Sequence, residues 1–495
     1  MASEPGRLLV DQLRLMASHF PDEVAYRCLD VEDITFAGWE TESNRLARGL
    51  VGTGVAKGDR VGLYLPAEEA LHWIVAYAAV HKAGAVAVPV NTRLSRPELE
   101  AILGHAEASA LVSGGELLPA AQQLEGSVPS LKWVVEPDEA LADDGSELQV
   151  PVDEGDLADV MYTSGTTGRP KGVAVRHRNA AMIPNNLPLW SGDWWMHSSP
   201  LFTFAGIGFI YNPMKMGMRG LYQARFDAGR WLDAVEGHRP PMVFIVPAMA
   251  QLLIAHPRFA DADLSSIVMC SLGSAPLAPA TLRRLQEKMP NANVANAYGM
   301  TEAGPAFCSM PQEESARRIG SVGKPMPPME VQAVDDAGGV LPPSQVGEIL
   351  IRLPGRQREY YKDPDATART WAGGWLHTGD LGFLDGDGYL YIVGRQKEVI
   401  IRGGNNIYAT DVEGVLHEHP DVREAAVVGV PHEVLGEDVA AFVALRDGAA
   451  VTDDDLRAFC AERLADYKVP RHITFLDELP RNATGKVLKQ QLIAP

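Results

Sequence analysis

The segment Tyr162-Thr163-Ser164-Gly165-Thr166-Thr167-Gly168-Arg169-Pro170-Lys171-Gly172 constrains this chain more than any other. A β-prone apolar run over 157–163 leads into it, and the β-branched Val173 and Val175 follow. Its glycines let the backbone approach an anion closely, and successive N–H groups in such a stretch form a concave nest. The hydroxyls of Thr163, Ser164, Thr166 and Thr167 add donors, and Lys171 adds a positive charge. Lys171 is followed by Gly172 rather than Ser or Thr, so this is not a Walker A loop. Pro170 and the β-prone residues behind it argue against a helix leaving the loop. A Gly/Ser/Thr-rich surface hairpin is the plainer reading, but the density of donors beside a lysine favours phosphate binding.

The rest of the chain reads as α/β. Its 495 residues exceed one ordinary core, so at least two domains are expected. Helical spacing covers 8–20, 41–53 and 68–83, with strands over 59–65 and 86–90, and this alternation predicts a layered α/β domain. The acidic stretch 136–159 reads as surface connection. A second α/β stretch covers 180–310, and 320–393 has the texture of short strands and turns, with Asp385-Gly386-Asp387-Gly388 as a hairpin turn. After Arg395 the pattern restarts, with helices over 410–418 and 453–464 and strands over 423–430 and 438–445. The expected domains are therefore 1–394 and 395–495.

Composition removes several function classes. Lys plus Arg total 44 against 64 Asp plus Glu, a formal net charge of -20, so a nucleic acid or an anionic membrane is disfavoured as partner. A nucleotide substrate survives this test, because a local loop can reverse the global sign. Cys28, Cys270, Cys308 and Cys460 show no zinc-ligand spacing and no disulfide framework, which suits a reducing cytoplasm. Glu4, Asp11 and Arg14 interrupt the N-terminus, so no signal peptide is expected. The longest apolar run, 73–90, contains His81, Lys82 and Gly84 and is short for a membrane span. A homodimer stays open.

At the Gly/Ser/Thr-rich loop the sequence resembles the adenylate-forming superfamily of acyl-CoA synthetases, luciferases and peptide-synthetase adenylation domains, from about Val10 to Leu492. The resemblance implies a large N-terminal domain of layered α/β subdomains with a small distorted β-barrel, and a small mobile α+β C-terminal domain. It implies that Thr163, Ser164, Gly165, Thr166, Thr167, Gly168 and Lys171 hold the β- and γ-phosphates of ATP. Gly273-Ser274-Ala275-Pro276 looks like the turn that borders adenine and the acyl pocket. In Asn296-Ala297-Tyr298-Gly299-Met300-Thr301-Glu302, Tyr298 would stack on adenine, Thr301 touch the α-phosphate and Glu302 hold Mg²⁺. Mg²⁺ suits one carboxylate plus phosphate oxygens. Asp380, within Trp375-Leu376-His377-Thr378-Gly379-Asp380, would accept the ribose hydroxyls, with Arg395 as a second ribose contact and Lys397 at the hinge. Lys486 ends Pro480-Arg481-Asn482-Ala483-Thr484-Gly485-Lys486 and would be the catalytic lysine. Lys489 reads as an ordinary surface charge.

Adenylation brings a carboxylate to the α-phosphorus of ATP, and a lysine with Mg²⁺ can neutralise the charge that builds there. Transfer to a thiol then requires the lysine to withdraw, which relatives achieve by rotating the C-terminal domain. Arg402, Gly403 and Gly404 resemble the loop lining the pantetheine tunnel. Thr203 departs from the resemblance, standing where a His or aromatic gate residue is frequent, and Ala409 replaces a frequent proline.

The acid pocket is expected along 202–208, 246–249, 273–275 and 300–304, with Phe202, Phe204, Ala205, Gly206, Val246, Met249 and Ala303 as lining candidates. These stretches hold no Lys or Arg, so a dicarboxylate is disfavoured and an apolar monocarboxylic acid is expected. A medium or long fatty acid is preferred, with an aromatic acid as close competitor. Coenzyme A is the expected acceptor because no carrier segment follows Lys486; an acyl-AMP ligase loading a separate carrier is the alternative. A luciferase-like activity shares the first half-reaction. A non-catalytic nucleotide-binding scaffold or sensor is the competing class, but its signature would be loss of the loop, Glu302 or Lys486, and all are present.

Overall fold

The computed structural model describes residues 6–29, 31–163, 171–180, 183–274, 279–305, 308–315, 317–355, 357–446, 448–482 and 486–493. The α/β expectation holds, and the chain divides into two units. The first comprises Met1–Phe244, Gly299–Pro305 and Pro354–Ala368; the second comprises Ile245–Tyr298, Ala306–Leu353 and Arg369–Pro495.

In the first unit one sheet runs, from edge to edge, Glu359–Tyr360, Lys171–Arg176, Leu157–Thr163, Val86–Pro89, Arg60–Tyr64, Ala108–Ser113 and Trp133–Val135. Its pairs are parallel from Leu157–Thr163 to Trp133–Val135 and antiparallel at the opposite edge. A second sheet orders Glu32–Thr35, Val24–Cys28, Arg219–Tyr222, Trp194–His197 and then Met242–Ile245. The helix Ala70–Lys82 belongs to the core shared by the two sheets and is buried on nearly every face. Such a helix has no polar stripe to give to water. Two of its polar side chains meet Asp159: the Tyr77 hydroxyl donates to Asp159 Oδ2 at 3.2 Å, and His81 Nε2 lies 3.2 Å from Asp159 Oδ1.

Local signals set most boundaries. The helix expected over 41–53 begins earlier, as Phe36–Thr53, because Thr35 caps it by accepting from the Gly38 N–H at 3.0 Å. Phe36, Trp39, Ser43, Leu46, Ala47 and Leu50 form its buried stripe, and Gly54 ends it at a φ of 107°.

In the second unit, Met269–Leu272 pairs in parallel with Asn293–Asn296. An antiparallel sheet runs Cys308–Ser309, Ser321–Pro325, Leu390–Arg395, Trp375–Leu384, Gly347–Arg352 and Glu330–Val334. The Asp385–Gly388 turn is a hairpin within it, and Arg318 clasps both Asp385 and Asp387. A further sheet runs Asn405–Tyr408, Val399–Arg402, Gly436–Leu445 and Val422–His432, with His472–Phe475 beside Gly436–Leu445. The helices Ala409–Glu418 and Asp453–Ala461 bury Val412, Leu416, Leu456 and Cys460 in that sheet's core. Among the described residues no helix is long and apolar enough to cross a membrane.

Lys215 closes the helix Phe204–Lys215 with its side chain fully buried, donating to the Ile183 carbonyl at 2.8 Å. Burial pushes its ammonium down to about 7 from 10.5. The unfolded chain therefore holds a proton that the folded chain has released, and stability rises with pH through that window. We predict that Lys215→Met stabilises the protein most at or below about pH 7, and that this gain shrinks by about pH 9. Denaturant titration at both pH values checks it; an equal gain at both would show that Lys215 does not titrate abnormally.

Candidate active site

The nucleotide candidates of the first unit gather around an antiparallel hairpin. Thr163 ends one strand and lies opposite Lys171, the first residue of the next. Ser164, Gly165, Thr166, Thr167 and Gly168 lie outside the described residues. Gly172 is required for packing here, because a Cβ would come within 2.9 Å of Val160 and 3.2 Å of the Tyr162 ring. Outside this hairpin, Glu359–Tyr360 adds a short edge strand, with Tyr360 opposite Val173 and the Tyr361 N–H donating to the Gly172 carbonyl at 2.7 Å.

That edge strand gathers three charged or polar features. The Lys171 ammonium lies 4.9 Å from the centre of the Tyr360 ring, and the Tyr360 hydroxyl donates to Glu302 Oε1 at 3.1 Å. Arg358, buried, donates to the Thr301 carbonyl at 2.6 Å and to the Asn179 carbonyl at 2.8 Å. The backbone carrying Thr301 is thereby tied to the segment that also supplies Tyr360, the ring that Lys171 contacts. Tyr360 and Arg358 were missed in the sequence; the available signal was the clustering of aromatic and basic types in Arg358-Glu359-Tyr360-Tyr361-Lys362.

The second unit holds the expected ribose group. Asp380 lies opposite Arg395 in the hairpin register, and Arg395 Nε is 3.1 Å from Asp380 Oδ1. The Tyr298 hydroxyl donates to Asp380 Oδ2 at 2.7 Å, and the Asp380 N–H donates to Thr378 Oγ1 at 3.0 Å. Burial raises the Asp380 carboxyl above the usual carboxylate range, against the opposing pull of Arg395, Tyr298 and Lys486. Burial and the nearby Arg395 lower the Lys486 ammonium, while Glu398 and Asp380 oppose them. Lys486 is thus within electrostatic reach of the Asp380–Arg395 pair. Its loop is closed by two bonds with Asn482: the Lys486 N–H donates to Asn482 Oδ1, and the Asn482 N–H to the Lys486 carbonyl, both at 2.9 Å.

The remaining nucleotide candidates divide between the units. Gly299, Met300, Thr301 and Glu302 belong to the first, whereas Gly273, Ser274, Ala297 and Tyr298 belong to the second. Ser274 adopts a φ of 72°, and the Ala297 N–H donates to the Leu272 carbonyl at 2.5 Å. Ala275 and Pro276 lie outside the described residues.

Thr203 acts as an N-cap in this structure. Its Oγ1 accepts from the Gly206 N–H at 3.0 Å and donates to the Pro200 carbonyl at 2.7 Å. Gly206 admits the chain's own backbone, since a Cβ there would lie 2.0 Å from the Pro200 carbonyl oxygen. Phe202 packs on the main core, and Phe204 packs near Met161, Val173 and Val175 with Arg358 5.3 Å from its ring centre. Ala205 lies in the first turn of that helix, and Ala303 is buried in the same unit. Val246 and Met249 stand at the start of the helix Pro247–Ala255 in the second unit. Gly403 and Gly404 have φ values of 57° and 82°, the paired positive angles of a two-residue hairpin turn between Val399–Arg402 and Asn405–Tyr408. Arg402 before them is buried against Asp438, with Nε 2.7 Å from Oδ1. Lys397 is exposed in a short helical turn, Gln396–Glu398.

No group of three or more His, Cys, Asp or Glu among the described residues can hold a metal by itself. Mg²⁺ is commonly held by one carboxylate together with substrate phosphates. Glu302 is the candidate carboxylate: the Tyr360 hydroxyl engages its Oε1, and Lys171 lies against the face of the same ring.

The residues expected from the adenylate-forming resemblance are thus present in both units, and the class itself is shown by comparison with known proteins. The chain belongs to the AMP-binding enzyme family: that family's profile matches residues 13–361, and the AMP-binding enzyme C-terminal domain matches 411–486. Over 465 residues it is 38% identical to a feruloyl-CoA synthase from an Amycolatopsis species, covering 93% of each chain. Among solved structures it is similar to the anthranilate CoA ligase bound to anthranoyl-AMP, with a TM-score of 0.89, 28% identity and 99% and 98% coverage. It is also similar to the o-succinylbenzoate coenzyme A synthetase of Bacillus subtilis with ATP and magnesium, with a TM-score of 0.84, 32% identity and 97% and 98% coverage. The protein is an AMP-forming acid–thiol ligase that works through an acyl- or aryl-adenylate, with ATP, Mg²⁺ and coenzyme A as its small-molecule requirements.

One expectation is corrected nearby. Lys489 is no free surface charge: its ammonium lies 2.8 Å from Glu413 and 3.2 Å from Glu398. Burial works to lower it, but the two carboxylates outweigh burial and raise it. Burial likewise works to raise Glu398, which Lys489 and Lys486 hold below the usual range. We predict that Lys489→Ala, which strands both carboxylates, lowers stability by about 1–3 kcal/mol, discounted for partial exposure. Denaturant unfolding measures this, and a variant as stable as wild type would show that water replaces the lysine.

Proposed function

We propose that the protein activates an aromatic monocarboxylic acid as its aryl-adenylate and passes the aryl group to coenzyme A. Asp380, held by Tyr298 and Arg395 within electrostatic reach of Lys486, is the observation that carries the assignment of the nucleotide site. In this reading Asp380 accepts the two ribose hydroxyls and Arg395 supports it. The hairpin from Thr163 to Lys171 holds the β- and γ-phosphates, while Gly273, Ser274, Ala297, Tyr298, Gly299 and Met300 border the base. Glu302 would hold Mg²⁺, which would supply screening of the phosphate charge, and Thr301 contacts the α-phosphate.

An acid oxygen attacks the α-phosphorus, the bond to pyrophosphate breaks, and Lys486 offsets the charge that builds on the oxygens. The thiol of coenzyme A then attacks the carbonyl and AMP leaves. We assign this second step to rotation of residues 395–495 against 1–394 about Lys397, with Thr203, Arg402, Gly403 and Gly404 along the thiol path. The acid is bordered by Phe202, Phe204, Ala205, Gly206, Val246, Met249 and Ala303.

The aromatic preference replaces the fatty-acid preference of the sequence reading. It is supported by the likeness to a feruloyl-CoA synthase and to an anthranilate CoA ligase. A fatty acid is the second reading, favoured by the lack of Lys or Arg in the candidate acid stretches.

The test is pyrophosphate release with ATP and Mg²⁺ against ferulate, anthranilate, benzoate, o-succinylbenzoate, octanoate and palmitate, each with and without coenzyme A. We expect an aromatic monocarboxylate to give the highest kcat/KM, with coenzyme A accelerating release. Octanoate or palmitate leading the panel would return the fatty-acid reading, and o-succinylbenzoate leading would overturn the reading that a dicarboxylate is disfavoured. Lys486→Ala is expected to slow adenylation about 100- to 1,000-fold while leaving transfer from preformed aryl-AMP nearly intact. Equal loss in both half-reactions would remove Lys486 from its assigned step.

A further inference from the structure

The first unit contains a lysine and a glutamate of opposite charge that both contact one tyrosine, at different parts of its side chain. Lys171 lies against the face of the Tyr360 ring at 4.9 Å, and Glu302 accepts from the hydroxyl of the same ring at 3.1 Å. Lys171 forms no ion pair with any described residue. Left in contact, an ammonium and a carboxylate would pair with each other, and that pair would have to break before a metal-bound polyphosphate could use either group. A phenol can hold both without joining them: its electron-rich face attracts the cation, and its O–H donates to the anion.

The phenol is itself firmly placed. The Tyr360 N–H donates to Thr367 Oγ1 at 2.9 Å, and Glu359 and Tyr360 pair with Ala174 and Val173. Arg358, two residues earlier, holds the Thr301 carbonyl, so the glutamate backbone is anchored from the same short strand. The hydrogen bond engages Glu302 Oε1 and orients the carboxylate so that its other oxygen can face a metal.

We propose that Tyr360 is a positioning residue for adenylation, whose ring keeps Lys171 apart from Glu302 and whose hydroxyl aims the Glu302 carboxylate at the ATP-bound Mg²⁺. The inference rests on the assignment of Lys171 to phosphate and Glu302 to Mg²⁺ made above. It separates two functions within one side chain, and two variants can read them independently.

Tyr360→Phe keeps the ring and removes the hydroxyl. It is expected to raise the Mg²⁺ concentration for half-maximal pyrophosphate release about 3- to 10-fold, while the ATP KM at saturating Mg²⁺ changes less than about 2-fold. Tyr360→Leu removes both features and is expected to raise the Mg²⁺ midpoint and the ATP KM together, each about 10-fold. Melting temperatures of both variants establish that each is folded. Calorimetric titration of ATP at several Mg²⁺ concentrations repeats the comparison with no acid present. A wild-type enzyme that binds MgATP but activates no acid would therefore sink the functional reading and leave this one standing. A Tyr360→Phe enzyme with the wild-type Mg²⁺ midpoint in both measurements, or with kcat lowered equally at every Mg²⁺ concentration, would overturn the positioning assignment.

Discussion

The antiparallel ladder between Leu157–Thr163 and Lys171–Arg176 is the interaction on which the candidate site of the first unit depends. One of its strands is also the first member of the parallel series that continues through Val86–Pro89 and Arg60–Tyr64. The other exposes an edge, and Glu359–Tyr360 takes it. A phosphate-binding turn needs a rigid base, because its N–H groups must already point at the anion when it arrives. The strand that leads to the proposed phosphate loop has its Asp159 held by Tyr77 and His81 of the buried helix Ala70–Lys82. The core thus reaches to within four residues of Thr163, where the described part of that strand ends.

Separation of charge is the second constraint. An enzyme that must bind a polyphosphate, a metal and a carboxylate needs lysines and carboxylates close together that do not neutralise one another. Each unit meets this with a third group. Tyr360 stands between Lys171 and Glu302, and Asp380 is shared by Tyr298 and Arg395 while Lys486 keeps a depressed ammonium nearby. Lys489 takes the opposite course and is raised and held by Glu413 and Glu398. Two lysines three residues apart therefore carry opposite shifts: Lys489 is committed to two carboxylates, and Lys486 is lowered by burial and by the nearby Arg395.

Much of this was legible in residue order. The strand over 157–163, the absence of a helix after Pro170 and the restart of α/β texture after Arg395 all follow from short-range signals, and the structure has them at or near those positions. The hairpin at Asp385–Gly388 was readable from its turn residues, although the arginine that clasps it lies far away in the chain. The helix start at Phe36 was missed because Thr35 was not recognised as its cap. Thr203 reads in sequence as standing at a thiol-tunnel gate and Gly206 as lining the acid pocket, and neither reading reveals the local backbone role of the residue. In the structure the threonine caps a helix and the glycine makes room for the Pro200 carbonyl.

Sequence by itself determined the chemistry-bearing segments, the α/β class and the family, since each depends on residue types at short, fixed spacing. It could not bring Tyr360 to Glu302 across 58 residues, or Tyr298 to Asp380 across 82, because such contacts arise from strand register and not from periodicity. Nor could it tell Lys489 from a solvated charge, because the two glutamates that hold it come from elements well before it in the chain. Tertiary structure decided which charges are paired, which are kept apart and which glycines serve the backbone. Each of these depends on burial and distance, and neither is a property of a residue's neighbours in sequence.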